Sequence, residues 1–483
     1  NTWIADNQGR TVGVIDSDDQ RQSMSYDRYG NLIRSVDREG KTTTRFYNDR
    51  GHEIRTILPT GGELHFEWDD LDRLTMTVAE NGSIVRYEYD ADEDRNPSRV
   101  INPKGGVTHF EWENDLLRGI SSPTGVTVTL DYNEFGELIS SANTNGDTTR
   151  LVRDAAGHVI KSITPLGHTT KYEYDEAGNV VRRRDPEGVA WNFEYDAHGR
   201  MTASIDPYGA TTRIQYGDHG RASKLIDPLG RVTEREFDDL GNVRALTLPD
   251  GAQFVFEHDA LSRLLSITNP DGATWKQDWD AVGNPIGVTD PTGVSTQISG
   301  NLAAGAVSSR NGDGSSNGVI EFDSYGRPVK NTDPAGDAEI VTYDETGQPV
   351  ELLDADGGLT KIDRDITGRI IQITSAEGHV TKYDYDSCGR LAQLIEPNGG
   401  ATRFTYDADS RLISRINPEG EESTYTYDRS NRLVEAVIPG QGKSRWAYDK
   451  CGRVTFHQDL LTGIRRFVYD AAGQLVKATN GLG

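Results

Sequence analysis

The chain has 483 residues and a formal net charge of −25, which argues against nucleic acid and anionic membrane surfaces as partners. Hydrophobic residues make up 35% and glycine supplies 52 positions, a composition for a thin, turn-rich structure and not for a core covered by helices. No apolar run reaches the ~18 residues that a membrane-spanning helix needs. The acidity would suit a basic cargo, although solubility alone also accounts for it. There is no initiator methionine or signal peptide, and the chain opens inside a repeat at Asp6-Asn7-Gln8-Gly9. It therefore reads as a fragment whose targeting segments are not represented.

The repeat is found by aligning aromatic-Asp pairs. Tyr26-Asp27 is followed 21 residues on by Tyr47-Asn48, then by Trp68-Asp69 and Tyr89-Asp90. Uneven steps around 96–114 predict a bulge or longer loop. The register then runs from Trp112 and Tyr132 through Tyr174, Tyr195, Tyr216, Phe237, His258 and Trp279. It slips near 300 and resumes from Phe322 to Tyr469, with Arg153 and Arg364 filling the aromatic slot in two copies. Counting the partial first copy, about 23 repeats cover the chain.

Each copy holds two turns. In 196–216 these are Asp196-Ala197-His198-Gly199 and Asp206-Pro207-Tyr208-Gly209. Aspartate at the first position accepts local backbone bonds, and glycine at the fourth tolerates positive φ. Between the turns the residues alternate with period two: Met201, Ala203 and Ile205 on one side, Arg200, Thr202 and Ser204 on the other. The next segment alternates Thr212, Ile214 and Tyr216 with Thr211, Arg213 and Gln215. Prolines and glycines interrupt every stretch beyond about seven residues, which rules out helix. The expected fold is all-β: a long antiparallel sheet of tandem 21-residue hairpins, about 46 strands. Such a ribbon can bury an apolar face only by winding on itself, with the aromatic slots stacking as a ladder. The array divides into 1–297, a weakened repeat or loop at 298–320, and 321–483, all one continuous segment.

The motif Tyr-Asp-x-x-Gly-Arg/Asn-Leu, as in Tyr26-Asp27-Arg28-Tyr29-Gly30-Asn31-Leu32 and Tyr385-Asp386-Ser387-Cys388-Gly389-Arg390-Leu391, resembles the YD repeat of the rearrangement-hotspot (Rhs) family. The resemblance implies a sheet spiralling into a hollow shell. In bacterial polymorphic toxins and in the B/C component of insecticidal toxin complexes, that shell encloses a C-terminal toxin. Animal teneurins use a related barrel in adhesion. The family's Pro-x-x-x-x-Asp-Pro-x-Gly-Leu cleavage box is absent; Asp227-Pro228-Leu229-Gly230-Arg231 lies in an ordinary turn. No self-cleavage residues are therefore assigned.

The chemistry candidates read as structural. The many carboxylates fit turn capping better than a catalytic pair. The ten histidines form no zinc pattern, and His258 reads as a ladder member. Asn311-Gly312-Asp313-Gly314-Ser315 lacks the glycine and glutamate of a calcium loop, with Ser316 and Phe322 in their places. Asn81-Gly82-Ser83 is a glycosylation sequon. Cys388 and Cys451 sit three repeats apart, roughly 29 Å along a flat sheet, too far to bridge. The sequence assigns no catalytic, cofactor-binding or metal residues, and no cofactor. The expected function is a non-enzymatic shell segment of a secreted toxin. Its partners would be an enclosed C-terminal toxin domain and an N-terminal delivery module or secretion-system component. The alternative is an extracellular adhesion or recognition array.

Overall fold

The computed structural model describes all residues except 1, 16–20, 38–39, 218–219, 281–282, 302–304 and 482–483. Its 46 strands, from Thr2–Ala5 to Leu475–Asn480, form one sheet with no helix among the described residues. Each strand pairs antiparallel with its neighbours in the chain, as β20 (Met201–Ile205) does with β21 (Thr211–Tyr216), and β21 with β22 (Ala222–Ile226). The family expectation of one long hairpin meander is met.

The 21-residue period follows from the strand lengths. β21 has six residues and β22 five, and each connection takes five more. The unequal strands force one irregularity per repeat: the register shifts between Gln215 and Tyr216, at the aromatic end of the hairpin. The opposite end, Ile205 against Thr211, pairs without a shift. A bulge of this kind increases local twist and bends the strand, so bending is built in once per repeat on one edge.

Both connections use the same turn chemistry. In the first, Gly199 N–H donates to the Asp196 carbonyl at 3.0 Å, and Asp196 N–H donates to the Arg200 carbonyl at 3.0 Å. Asp196 Oδ1 accepts from His198 N–H and Arg200 N–H at 2.9 and 3.1 Å. Gly199 has φ of +74°, a conformation that costs other L-residues energy. Four aromatic-side turns place Asp72, Ser262, Ser410 or Asn431 there instead, with φ between 63° and 67°.

The two faces of the sheet differ. Register puts Arg213 with Ile226 and Gln215 with Lys224 on one face, and Ile214 with Leu225 on the other. The second face also carries the aromatic slot and its companion two residues earlier, as in Tyr383/Tyr385, Phe404/Tyr406 and Tyr425/Tyr427. The first carries cross-strand ion pairs such as Lys224–Glu234 and Lys330–Glu321, both at 2.7 Å. One expectation needs correcting here. Ala203 pairs with Arg213 and Ile205 with Thr211, so the apolar row of β20 lies opposite that of β21. No single face is wholly apolar. Buried hydrophobic residues are few: Val14, Ala203, Ala245 and Ala436 among those described. The exposed surface is 27787 Å², against about 18,000 Å² for a compact protein of this mass. The molecule is a wall one sheet thick.

The wall winds on itself. Asn81 touches Glu345, and Thr164 touches Asp409, 264 and 245 residues later. One circuit is therefore about 23–25 strands, or roughly 115 Å around and 35 Å across between backbones. That span leaves a hollow after side chains are added. The circuit is one hairpin longer at its start, because three lower turns (102–105, 122–125 and 143–146) face two upper ones (365–368 and 386–389).

The irregular places are local. The uneven stretch near 96–114 is a connection, 89–98, that leads into a three-residue strand, Arg99–Ile101, followed by a tight turn with positive φ at Asn114 and Asp115. Within 298–320, strands Ser295–Asn301, Ala306–Asn311 and Ser316–Phe322 stay paired; residues 302–304 lie outside the described residues.

Candidate functional site: the Tyr-Asp spine and the seam between circuits

The motif residues build a continuous spine along one edge of the strip. Take the unit from Asp407 to Asp428. Asp407 Oδ1 caps its turn by accepting Arg411 N–H at 2.9 Å, and Oδ2 accepts Arg411 Nε–H at 2.8 Å. The same guanidinium lies 5.0 Å from the ring centre of Tyr427 in the next repeat. Its Nη1 donates to the Asp428 carbonyl at 3.2 Å. Tyr427 O–H then donates to the Leu412 carbonyl at 2.9 Å. Turn, ion pair, cation–π contact and tyrosine bond thus link one hairpin to the next wherever arginine follows the turn.

This arrangement corrects the stacked-ladder expectation. Among the described residues, most slot rings lie against Arg or His of the preceding repeat, as His52 does on Trp68 at 4.6 Å, and not on one another; Tyr47 and Tyr195 follow Asn31 and Asn179 instead. In most copies the slot residue donates to a carbonyl fifteen residues back, as Tyr427 does to Leu412. Trp68, Trp112 and Trp279 use Nε1–H. Arg153 and Arg364, which fill the aromatic slot in two copies, use Nε–H at 3.1 and 3.3 Å. Phe237 has no donor to offer, and buried His258 Nδ1 finds no partner.

Hydrogen bonds from turn N–H groups and arginine hold Asp69, Asp196 and Asp386 below the ordinary carboxylate range, against the opposing effect of burial. The Arg200 hydrogen bond brings Asp196 down to about 2, against the opposing effect of burial and with help from backbone N–H groups. A carboxylate saturated with donors in this way is a poor proton-transfer group. Burial raises the phenols of Tyr406 and Tyr427 above their ordinary value.

The seam joins proline-side turns of the first circuit to aromatic-side turns of the second. Lys104 pairs with Asp344 at 2.6 Å. Asn102 Nδ2–H donates to the Ile366 carbonyl at 2.8 Å, and the Ile366 side chain lies against Gly106, where a Cβ would clash with it. Asp409 accepts from Thr164 O–H at 3.0 Å and Leu166 N–H at 3.1 Å, and contacts His168 Nδ1 at 3.0 Å. Ser430 O–H donates to Asp185, and the Cys451 thiol to Asp206 at 3.2 Å. Arg231 reaches Gln474 at 3.0 Å. These are side-chain and single-backbone contacts with no strand ladder, so each is worth on the order of 1 kcal/mol or less.

Asp185 and Asp206 divide their oxygens between their own turn and the seam. Asp206 Oδ1 caps its own turn through Tyr208 and Ala210 N–H, while Oδ2 faces Cys451. Spine Asp residues give Oδ2 to their own Arg; here the corresponding residue is Ala210, which leaves Oδ2 for the other circuit. Burial, then the Asp206 carboxylate, pushes the Cys451 thiol up to about 12. Cys388 and Cys451 are both free. An open cleft of about 400 Å³ lies in the seam, lined by Asn143, His168, Asp409 and Arg429 among others.

The remaining sequence candidates fall in ordinary places. Asn311–Ser315 is a turn in which Asp313 caps Ser315 N–H. Asn81 of the sequon sits in the seam, its Nδ2–H on the Glu345 carbonyl at 2.7 Å. Asp227 caps its turn and pairs with Arg231 at 2.6 Å. No described helix is long and apolar enough to cross a membrane.

Comparison with known proteins agrees with this geometry. The RHS Repeat model matches residues 153–190, 174–212, 237–274 and 258–296, and the Teneurin YD-shell model matches 313–480. No curated protein sequence matches this one. Among solved structures, the TcdB2-TccC3 crystal structure superposes with a TM-score of 0.66 at 15% identity, covering 98% of this chain. The form without its hypervariable C-terminal region gives 0.65 at 14% identity and 98% coverage. The Photorhabdus luminescens Tc holotoxin pore gives 0.59 at 13% and 97%. The chain spans 31%, 33% and 34% of those three chains, respectively. With the Tyr-Asp spine running through its whole described length, the chain belongs to the RHS/YD-repeat family of shell-forming proteins.

Proposed function

We propose that this chain is a non-catalytic wall segment of a secreted bacterial toxin shell, which encloses a C-terminal effector domain until delivery. The observation that carries this reading is the winding: one unbroken sheet closes edge to edge on its own earlier circuit and surrounds a space about 35 Å across. Confinement keeps an enzyme from its targets and limits the volume open to its unfolded chain. The side chains that look catalytic are committed to turns, spine and seam, as Asp196, Asp227 and Asp409 are. The enclosed effector and an N-terminal delivery module or secretion-system component are the proposed partners.

The Teneurin YD-shell match favours a second reading, an extracellular adhesion or recognition array. An electron-microscopy map of the intact parent protein separates the two. Encapsulation requires a lumen filled by a segment of the same chain, protected from added protease. An empty lumen with a membrane anchor and outward-facing modules would support adhesion. A solid rod would contradict both.

A further inference from the structure

On the face that carries the cross-strand ion pairs, a cation normally meets an acid. Lys224 pairs with Glu234 at 2.7 Å, and Glu351 with Lys361 at 3.5 Å, at the same place in two repeats. Three repeats before Lys224, that place holds Lys161 directly opposite Lys171. On its other side Lys171 stands directly opposite Arg184. Three cations thus form one row across the strands Val159–Ile163, Thr169–Tyr174 and Val180–Arg184, over about 10 Å. Like charges placed in this way destabilise a sheet, and the chain as a whole carries −25. Among the described residues, none of the three has an acidic side chain in ion-pair range.

The row runs into the seam. An open cleft of about 450 Å³ is lined by Lys171, Arg184 and His168 of the first circuit and by Arg429 of the second. Arg184 Nη1 donates to the Gly188 carbonyl at 3.1 Å, which fixes its guanidinium at the cleft. The nearby carboxylates have other partners. Asp185 accepts from Val189 N–H and Ser430 O–H, and Glu187 accepts from Arg429 N–H at 3.0 Å. Asp409 contacts His168, and Glu173 pairs with Arg182. The Arg429 guanidinium has no acid in ion-pair range among the described residues either.

We propose that this cleft binds a small anion carrying two or more phosphate groups, which joins Lys171 and Arg184 of the first circuit to Arg429 of the second and so ties the seam. Guanidinium and ammonium groups converging from two sides suit the dense charge of phosphate oxygens. The cleft admits a small molecule, while the acidic surface around it opposes a long polyanion such as a nucleic acid. The phosphates come either from a soluble molecule or from a lipid headgroup. The inference does not depend on what the lumen holds.

The test titrates the full chain with inorganic tripolyphosphate by calorimetry at low ionic strength, where surface charge is least screened. Single-site binding is expected, about tenfold weaker in the variant Lys171→Gln, Arg184→Gln. Arg429→Gln, in an exposed turn of the other circuit, should bind about fivefold more weakly. The control Lys224→Gln removes a cation from the paired place and should bind as the parent does. Tripolyphosphate should also slow amide hydrogen exchange on both sides of the seam, at 164–168 and 428–431. Retention on phosphatidylcholine vesicles only when they carry a phosphatidylinositol bisphosphate would support the site with a lipid as its source. Tripolyphosphate binding without such retention would support it with a soluble source. Absence of binding, or parent-like affinity in either the Lys171/Arg184 or the Arg429 variant, would overturn the proposal. So would a single-stranded oligonucleotide that binds as tightly as tripolyphosphate, since the occupant would then be a nucleic acid.

Discussion

The spine and the seam hold the same strip by opposite means. The spine repeats one set of contacts every 21 residues, with carboxylate, guanidinium, ring and carbonyl in fixed order. The seam uses a different pair at almost every turn: lysine with aspartate, thiol with aspartate, hydroxyl with aspartate, amide with carbonyl. The reason is geometric. Within a circuit every hairpin meets an identical neighbour, so one solution serves all of them. Between circuits the rows slip by one hairpin near 122–125 and then keep a constant offset of 245 residues, at Thr164–Asp409, Asp185–Ser430 and Asp206–Cys451, but the side-chain pair changes from step to step and no strand ladder supports it. Stability should therefore reside in the spine, and closure of the wall in the seam.

Substitutions can break or sharpen this contrast. The largest effect is expected for Tyr406→Ala, which removes a half-buried ring, its place under Arg390 and its bond to Leu391. A loss of about 2–4 kcal/mol is expected from urea titration. Tyr406→Phe keeps the ring and should lose only about 1 kcal/mol. If the two variants unfold at the same urea concentration, packing contributes nothing and the spine is hydrogen bonding alone.

Phe237→Tyr should run the other way, adding a donor for the Ala222 carbonyl and gaining about 0.5–1 kcal/mol. A neutral or destabilising result would mean that the slot does not need its donor.

Acid should weaken the spine in a defined window. Asp196 is held near 2 in the folded chain and titrates at about 3.9 when unfolded. The stabilisation is present above about pH 4 and is lost as pH falls towards 2. The urea midpoint should thus stay level from pH 7 to 5 and fall below 4, and less steeply in Asp196→Asn. A decline already under way between pH 7 and 5 would point to other groups.

The smallest effect on stability is expected in the seam. Cys451→Ser should change the unfolding free energy from urea titration by less than about 0.5 kcal/mol. The thiol offers a second readout, because a group raised to about 12 is almost wholly protonated at pH 8 and reacts slowly with disulfide reagents. Asp206→Asn should speed that reaction markedly with little loss of stability. An unchanged rate would mean that Cys451 does not face Asp206.

The spine was legible in the sequence because all its parts recur in register: the turn aspartates, the glycines and the aromatic slot. Even so, the roles of Arg153 and Arg364 emerge only from the carbonyl fifteen residues back, a partner that no side-chain pattern reveals. The faces were half legible. Alternation orders the residues within β20 and within β21, but the bulge and the pairing register decide how the two rows combine. The seam was not legible, because partners such as Cys451 and Asp206 are 245 residues apart, an offset set by the circumference of the winding and not by the repeat. The small residues at 346, 367, 388, 430, 451 and 472 were its one available signal.

Closure of the strip on its own earlier circuit is tested most directly by a disulfide across the seam. In Asp206→Cys with Cys388→Ser, oxidation should join residues 206 and 451 within one chain, seen as a single crosslinked peptide pair by mass spectrometry. Asp227→Cys in the same background lies one repeat away and should stay reduced. Failure of 206 to join 451, or equal crosslinking from 227, would contradict the winding.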